Sequence, residues 1–334
     1  MRPGFTSMVF LVLLSSTPVG LTQNSPSKAQ AEPDTPQQAI LTKPIREIKG
    51  PKRTVAMGRF DAVGAFTAQY GNWDIGGGLE AMMVSALLES DRFIVVERAN
   101  LSEILTEQQL STAGLATSST TAQPGYLTGA QWIIFGSVTE FDMREAGGGL
   151  SIGVSKSALK GGVGRQKVKG VVRFDFRLVD TSSGEVIKTH TVTEEIVAKS
   201  WDMSVGWEGI SIGDNQFMQT PLGAATRGAI TQAVDLIARD ANSFPWTGLV
   251  VVYEEGNVYL NAGSKDGIKP QDQFYVERVV RVLTDPQSGQ VLSVRKQKLG
   301  LVEIFEVDEK IAIGTYQADL PDPPQRGDLL VFKK

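Results

Sequence analysis

The chain has 334 residues and a formal net charge of -4, with 33 basic and 37 acidic side chains and no Lys/Arg block, so the balance gives no nucleic-acid footprint. It holds no cysteine, which excludes disulfides, thiolate metal sites, a catalytic thiol and a lipid on a thioether, and one histidine, His190, which leaves a His-based zinc site or a Ser/His/Asp triad a single imidazole. At 41% hydrophobic and 21% charged residues it has the make-up of a folded globular chain, long enough for a large domain and a small one.

The N-terminus has the pattern of a cleavable export signal. Arg2 supplies a short positive region, Met8–Leu14 an apolar run, and Thr17, Pro18, Val19 and Gly20 break it. Ala29-Gln30-Ala31 is one cleavage site and a point near Gly20 to Gln23 another. We take residues 1–31 as the signal peptide and 32–53 as a disordered linker, the stretch up to about Gln38 being rich in Gln, Ser, Pro and Ala. No later stretch approaches the roughly 18 apolar residues of a membrane-spanning helix. Any further membrane contact would use strands, an amphipathic surface or a partner.

Folding is expected to begin near Thr54, with a strand at Thr54–Phe60 and a glycine-bearing loop at Asp61–Gly78. Leu79, Met82, Met83, Ala86 and Leu87 recur at helical spacing and predict a helix over Leu79–Glu89. Phe93–Val96 reads as a short buried strand. Leu101–Gln109 reads as a second helix, with Asn100 as N-cap and Glu103 completing a capping box. Ser111–Gln123 is a Ser/Thr-rich connection, and Trp132–Phe135 a strand ending at Gly136. In Val171–Asp180 an apolar set (Val172, Phe174, Phe176, Leu178) alternates with a mostly charged one, the mark of a strand with one buried face. Thr181–Gly184 turns the chain, and Glu185–Thr193 pairs back. Pro221–Asp240 is a long helix with Ala225, Ala229, Ala233, Leu236 and Ile237 on one face. The mixture predicts α/β (α+β) layer packing over residues 54–245. After Phe244-Pro245-Trp246 the pattern is all β. Six or seven short strands, from Val250–Tyr253 to Leu329–Phe332, predict a small SH3-like or OB-like barrel over 246–334.

Chemistry-bearing motifs are few. Gly147–Gly149 and Gly161–Gly164 lack the context of a phosphate loop. Gly76–Gly78 reads as a hinge beside a loop. Glu194 and Glu195 are adjacent in a strand and point to opposite faces, so they fail as an acid/base pair. His190 is expected on an exposed hairpin, away from any catalysis. Neither a cofactor, a metal nor an enzymatic activity is expected.

Four segments, in order, resemble the curli secretion-channel family (CsgG-like). They are Ala81–Leu88 closing with Arg92–Arg98, the helix at Leu101–Gln108, Gly129–Val138, and Phe174–Asp180 with Ser183–Val186. The resemblance covers roughly residues 54–240. It implies an α/β periplasmic domain in a homo-oligomeric ring, and two hairpins per subunit that jointly build an outer-membrane β-barrel. It also implies a loop from each subunit at a narrow constriction. Unfolded polypeptide or surface-fibre subunits would diffuse through, without nucleotide hydrolysis. The implied location is the outer membrane and the periplasmic space. The implied partners are the exported polypeptide and a periplasmic accessory protein, with no nucleic acid. The family's lipidated N-terminal Cys has no counterpart here, and the terminal barrel is additional. Asn261–Gly263, Asp266–Pro270 and Phe274–Val276 resemble small β modules such as the C-terminal domain of flagellar assembly protein T, which implies docking. The alternative is a periplasmic ring or scaffold of the same fold without a membrane barrel, for polysaccharide export, adhesin anchoring or flagellar envelope assembly.

Two stretches suit the hairpins, 141–172 and 194–216. In the second, Trp201, Met203, Val205 and Trp207 share one face; the phase flips after Glu208-Gly209, and Ile210 and Ile212 continue the apolar row. In the first, Leu150, Ile152 and Val154 alternate with small polar residues, but the return arm carries Lys156, Lys160, Arg165, Lys167 and Lys169. A lysine facing lipid at mid-depth costs roughly 2–4 kcal/mol, so these must face a lumen or lie near the ends, or this hairpin stays outside the membrane. In the family an Asn-aromatic element precedes the Ala-Met-x-Val helix and lines the constriction. Asn72-Trp73 stands at that place, with Tyr70 and Phe66 nearby. The other reading packs Trp73 and Tyr70 over the first helix.

Overall fold

In a computed structural model of the chain, residues 39–62, 74–113, 127–145, 166–201, 212–289 and 291–334 are described. All belong to one unit, Gln38–Lys334. Its elements run β1 (Arg53–Ala62), α1 (Ile75–Glu89), β2 (Phe93–Val96), α2 (Leu101–Thr112), β3 (Trp132–Glu145), β4 (Gln166–Asp180), β5 (Val186–Trp201), α3 (Asn215–Met218) and α4 (Pro221–Ser243). Then follow β6 (Thr247–Glu254), β7 (Asn257–Leu260), β8 (Gln273–Thr284), β9 (Val291–Val307), β10 (Ala312–Ala318) and β11 (Leu329–Phe332).

The first sheet has the order β2-β1-β3-β4-β5. β1 lies parallel to β2 and β3, and β3, β4 and β5 are antiparallel neighbours. The alternation read in β4 is realised: Val172, Phe174, Phe176 and Leu178 are buried, while Arg173 and Arg177 are exposed. The buried row meets Ala225, Ala229, Ala233 and Ile237 of α4 in one core. The small side chains along α4 let that helix lie close to the sheet. The structure is therefore mixed α/β in two layers, as expected from the element pattern.

Four local expectations fail, each for a physical reason. α1 starts four residues early and takes the glycines of the expected hinge into its first turn. Asp74 caps it, accepting from the Gly77 N–H at 2.9 Å. A Cβ on Gly76 would stand 2.0 Å from the Phe60 carbonyl oxygen, so only glycine lets the helix begin against β1. α2 begins where expected, but the capping box does not form. The Asn100 N–H donates to Glu97 at 3.0 Å, and Glu103 instead accepts the Ser102 hydroxyl at 2.9 Å. β3 does not stop at Gly136. It runs on to Glu145, paired along its length with β4, and the Phe60 ring fills the space where a side chain at 136 would stand. Residues 39–52 are no disordered linker. Ile45 is buried, Ile40, Leu41 and Ile48 pack on the core, and the strap is pinned along α4. There Thr42 N–H donates to Thr231 Oγ1 at 3.0 Å, Arg46 Nε to Asp235 Oδ1 at 2.9 Å, and Asn242 Nδ2 to the Glu47 carbonyl at 2.9 Å. The Arg46 bond holds the Asp235 carboxyl below its ordinary range.

The second part is a closed barrel of order β10-β7-β6-β11-β8-β9. Its separate core is built on Trp246, Phe274, Val302 and Leu330, with Trp246 edge-on to Phe274 at 5.8 Å. Two strands expected at 291–295 and 300–306 are one, β9. Arg278 forks onto the buried Asp328 at 3.0 and 2.8 Å and fixes the entry to β11. Arg53 ties the two parts together. Its guanidinium donates to the carbonyls of Phe244 and Pro245 at 2.7 and 2.9 Å and lies 4.6 Å from the Trp132 ring centroid. Burial pulls its pKa down to about 10.

Candidate assembly site

The candidate site lies at the end of the first sheet where β3, β4 and β5 meet the two candidate hairpin stretches. α4 begins with Pro221 seated against Gly170, where a Cβ would be 2.5 Å from the Pro221 carbonyl. Beneath it Phe217 of α3 is fully buried and stacks on Phe141 at 6.2 Å. Val172, Val171 and Val168 of β4 are buried at the same level. The roots of both candidate hairpins are thus core sheet. Residues 141–145 pair with 168–172, and 194–198 pair with 168–172 from the other side. The rest of the two candidate stretches, 146–165 and 202–211, lies outside the described residues. Three strands lead to them side by side: β3 to Glu145, β4 from Gln166, β5 to Trp201, which is in register with Gln166.

Of the residues expected to face lipid, Leu150, Ile152, Val154, Met203, Val205, Trp207 and Ile210 lie outside the described residues, and Trp201 is placed by its backbone at the end of β5. Ile212 is described. It is half-buried against the core, and its Cβ occupies the space beside Gly78 of α1. The apolar row therefore ends before it. Asn215 and Gln216 of the expected second hairpin belong to α3. The constriction candidates Phe66, Tyr70, Asn72 and Trp73 also lie outside the described residues. Their segment leaves the end of β1 and returns at Asp74, close to where it left, since Gly76 abuts Phe60.

The charge at the arm roots is partly matched. Lys169 Nζ meets Glu195 Oε2 at 2.6 Å, and Lys167 is exposed. Glu194 faces the other way, against Gly228 of α4, so the two carboxylates are separated as the alternation requires. Along the open edge at β2 a cleft of about 210 Å3 is lined by Met57, Val84, Leu88, Val95, Glu80 and Arg98. Burial pushes the Glu80 carboxyl up. Among the described residues no group of three or more His, Asp or Glu side chains is placed to hold a metal ion.

Sequence reasoning missed the role of the single histidine. His190 is not on an exposed hairpin. Its Nε2 lies 2.6 Å from Oδ2 of Asp240, which is nearly fully buried on α4, and its ring lies 5.1 Å from that of Phe176. The signal was present in strand parity, because His190 shares a face with the buried Val192.

The first part is a helix-covered mixed sheet whose three antiparallel strands lead toward the two candidate hairpins. Residues 47–247 match the family model described as curli production assembly/transport component CsgG. The chain belongs to that family, and the match ends at Thr247, where β6 begins. No curated protein sequence matches the chain. Among solved structures it is similar to a hypothetical protein from Chlamydia trachomatis, at 12% identity and a TM-score of 0.39, over 58% of this chain and 99% of that one. It is also similar to the PelC dodecamer from Paraburkholderia phytofirmans, at 17% identity and a TM-score of 0.28, over 57% and 95%. A lipoprotein from Neisseria meningitidis is similar at 12% identity and a TM-score of 0.26, over 55% and 99%.

Proposed function

We propose that the chain is the subunit of a homo-oligomeric outer-membrane channel that exports unfolded polypeptide or fibre subunits by diffusion. The observation that carries the reading is the trio β3, β4 and β5, which are antiparallel neighbours and lead side by side into 146–165 and 202–211. Family membership supports an export or assembly role. The alternation of Trp201, Met203, Val205 and Trp207 with Asp202, Ser204, Gly206 and Glu208 supports a barrel strand, and closure among copies would leave no bare edge in lipid. In this reading Leu150, Ile152, Val154, Met203, Val205, Trp207 and Ile210 face lipid. Phe66, Tyr70, Asn72 and Trp73 ring the constriction, where stacked amides and aromatics would give an unfolded chain a narrow, weakly interacting passage. The terminal barrel serves as a docking module, and a periplasmic accessory protein is a fitting partner.

The test is an arginine placed at depth. Met203→Arg or Val205→Arg should abolish recovery of the oligomer from carbonate-washed membranes while leaving the soluble fold intact. Recovery equal to wild type would remove the support of the alternation. The runner-up, a periplasmic ring or scaffold without a barrel, is favoured by the lysines of the first arm and by Ile212 packing on the α/β core. It predicts that both variants behave as wild type and that the protein washes off in carbonate.

A further inference from the structure

Beyond the wall of the terminal barrel, β8 and β9 run on as a two-stranded ribbon. β11 pairs with β8 only as far as Glu277, and β10 with β9 only as far as Gly300, so 279–284 and 291–298 have each other and no third strand among the described residues. The lane that β10 fills beside β9 ends where the Leu299 carbonyl accepts the N–H groups of Asp319 and Leu320, at 2.8 and 3.1 Å. Past that point the outer edge of 291–298 is bare. A two-stranded ribbon is marginal in water and gains from a third strand, and a bare edge is a template for one.

The register puts different chemistry on the two faces. Val282 stands opposite Val294, and the adjoining pair, Arg281 opposite Arg295, points to the other face. All four side chains are exposed. Residues 278–298 hold five basic side chains and one acidic, in a chain of net charge -4. The acid, Asp285, is taken up at the turn by the N–H groups of Gln287 and Ser288. Arg278, Lys296 and Lys298 pair with Asp328, Glu277 and Asp319, whereas Arg281 and Arg295 have no acidic partner among the described residues. Like charges directly opposed across a ribbon repel, and a carboxylate beside them relieves the repulsion.

A ligand lying on one face would meet valine or arginine, but not both. A strand added along the edge meets both, because its successive side chains fall on alternate faces. We propose that the 291–298 edge of β9 takes up an extended acidic segment of a partner protein. Carboxylates at every second position of that segment lie against Arg295, and apolar side chains between them lie beside Val294. Main-chain hydrogen bonds supply affinity and the alternation supplies specificity. Arg281, one strand farther from the added segment, reinforces the field. The inference rests on the docking role proposed for the terminal barrel, to which it gives an edge and a partner chemistry, and it is independent of whether the hairpins enter a membrane.

The probe is a dye-labelled, end-blocked peptide that alternates valine with glutamate over the length of the edge. The full chain should bind it in fluorescence anisotropy at low salt, and a peptide of the same composition with its glutamates in one block should bind roughly tenfold more weakly. Arg295→Glu, which borders the lane, should weaken binding about tenfold and more than Arg281→Glu does, and the double reversal should prefer a valine–lysine peptide. Folding of each variant is checked by circular dichroism. N-methylation of the valines and of the glutamates should differ in effect, since only one set of N–H groups faces the ribbon. Equal binding of the blocked peptide, indifference to the reversals, or equal effects of the two methylations would overturn the proposal. So would absence of peptide binding with the reversals altering instead the sedimentation of the protein or its uptake by anionic vesicles, which would assign the ribbon to a second copy or to lipid. Membrane recovery and conductance report on the channel reading separately.

Discussion

Replacing Phe217 by alanine probes the root of the arms. Phe217 is fully buried, stacks on Phe141 of β3 at 6.2 Å, and stands where the chain returns from 202–211 to enter α4. Loss of its ring forfeits about 2–3 kcal/mol of apolar burial. The hole left behind adds to this, so Phe→Ala in a core costs about 3–5 kcal/mol. Collapse into the hole is restricted here. α3 is held at close quarters by α4, a Cβ on Gly223 having only 2.0 Å to the Phe217 carbonyl oxygen. We therefore expect about 4 kcal/mol. For a unit of this size each kcal/mol moves the midpoint by roughly 2–4 °C, so Tm should fall by about 12 °C in calorimetry of the full chain. Phe217→Leu should lose about a third as much. A fall under about 3 °C for the alanine variant would show that α3 does not staple the arm roots, and the account of how the arms are positioned would be wrong.

Arg53→Met leaves the Phe244 and Pro245 carbonyls without their donor and should cost about 2–4 kcal/mol, with proteolytic cleavage near Pro245 at least tenfold faster. An unchanged cleavage rate would contradict the clamp. The His190–Asp240 contact should behave as a buried pair. His190→Phe or Asp240→Leu alone should cost about 1–3 kcal/mol, and the double variant should recover at least half, whereas additive losses would rule the coupling out. Asp235 has a folded pKa below its unfolded value, chiefly through its bond to Arg46. Its contribution is thus fully present above about pH 4 and is lost as pH falls through the folded value. Hydrogen exchange of residues 40–48 should accelerate over that acid range. In Asp235→Asn it should already be fast at neutral pH, and equal exchange in the two proteins would refute the strap contact.

The fold was legible where a single period dominated. β4 announced its buried face by strict alternation, and α4 by its alanines at helical spacing. The same local reasoning failed where a distant segment set the outcome. Gly76 reads as a hinge until Phe60 is known to lie against it, and Gly136 reads as a strand end until the Phe60 ring is seen to occupy its empty side. The strap is not legible locally because Leu41, Ile45 and Ile48 recur at helical spacing around Pro44, yet the segment forms no helix and lies extended along α4, held by bonds to Thr231, Asp235 and Asn242. His190 was misplaced although its parity with Val192 was available, because its partner Asp240 lies on another element. At the candidate site the alternation at 201–210 was readable, but where the hairpins leave the core was not. Phe141, Val168 and Val172 are as apolar as membrane residues, and only their packing on Phe217 and α4 identifies them as core.

The most direct measurement is conductance across a planar bilayer after adding the detergent-extracted oligomer. We expect discrete, long-lived channel steps that vanish with Val205→Arg and change in size with Asn72→Ala or Trp73→Ala. A bilayer that stays silent with folded, oligomeric wild-type protein would contradict the channel.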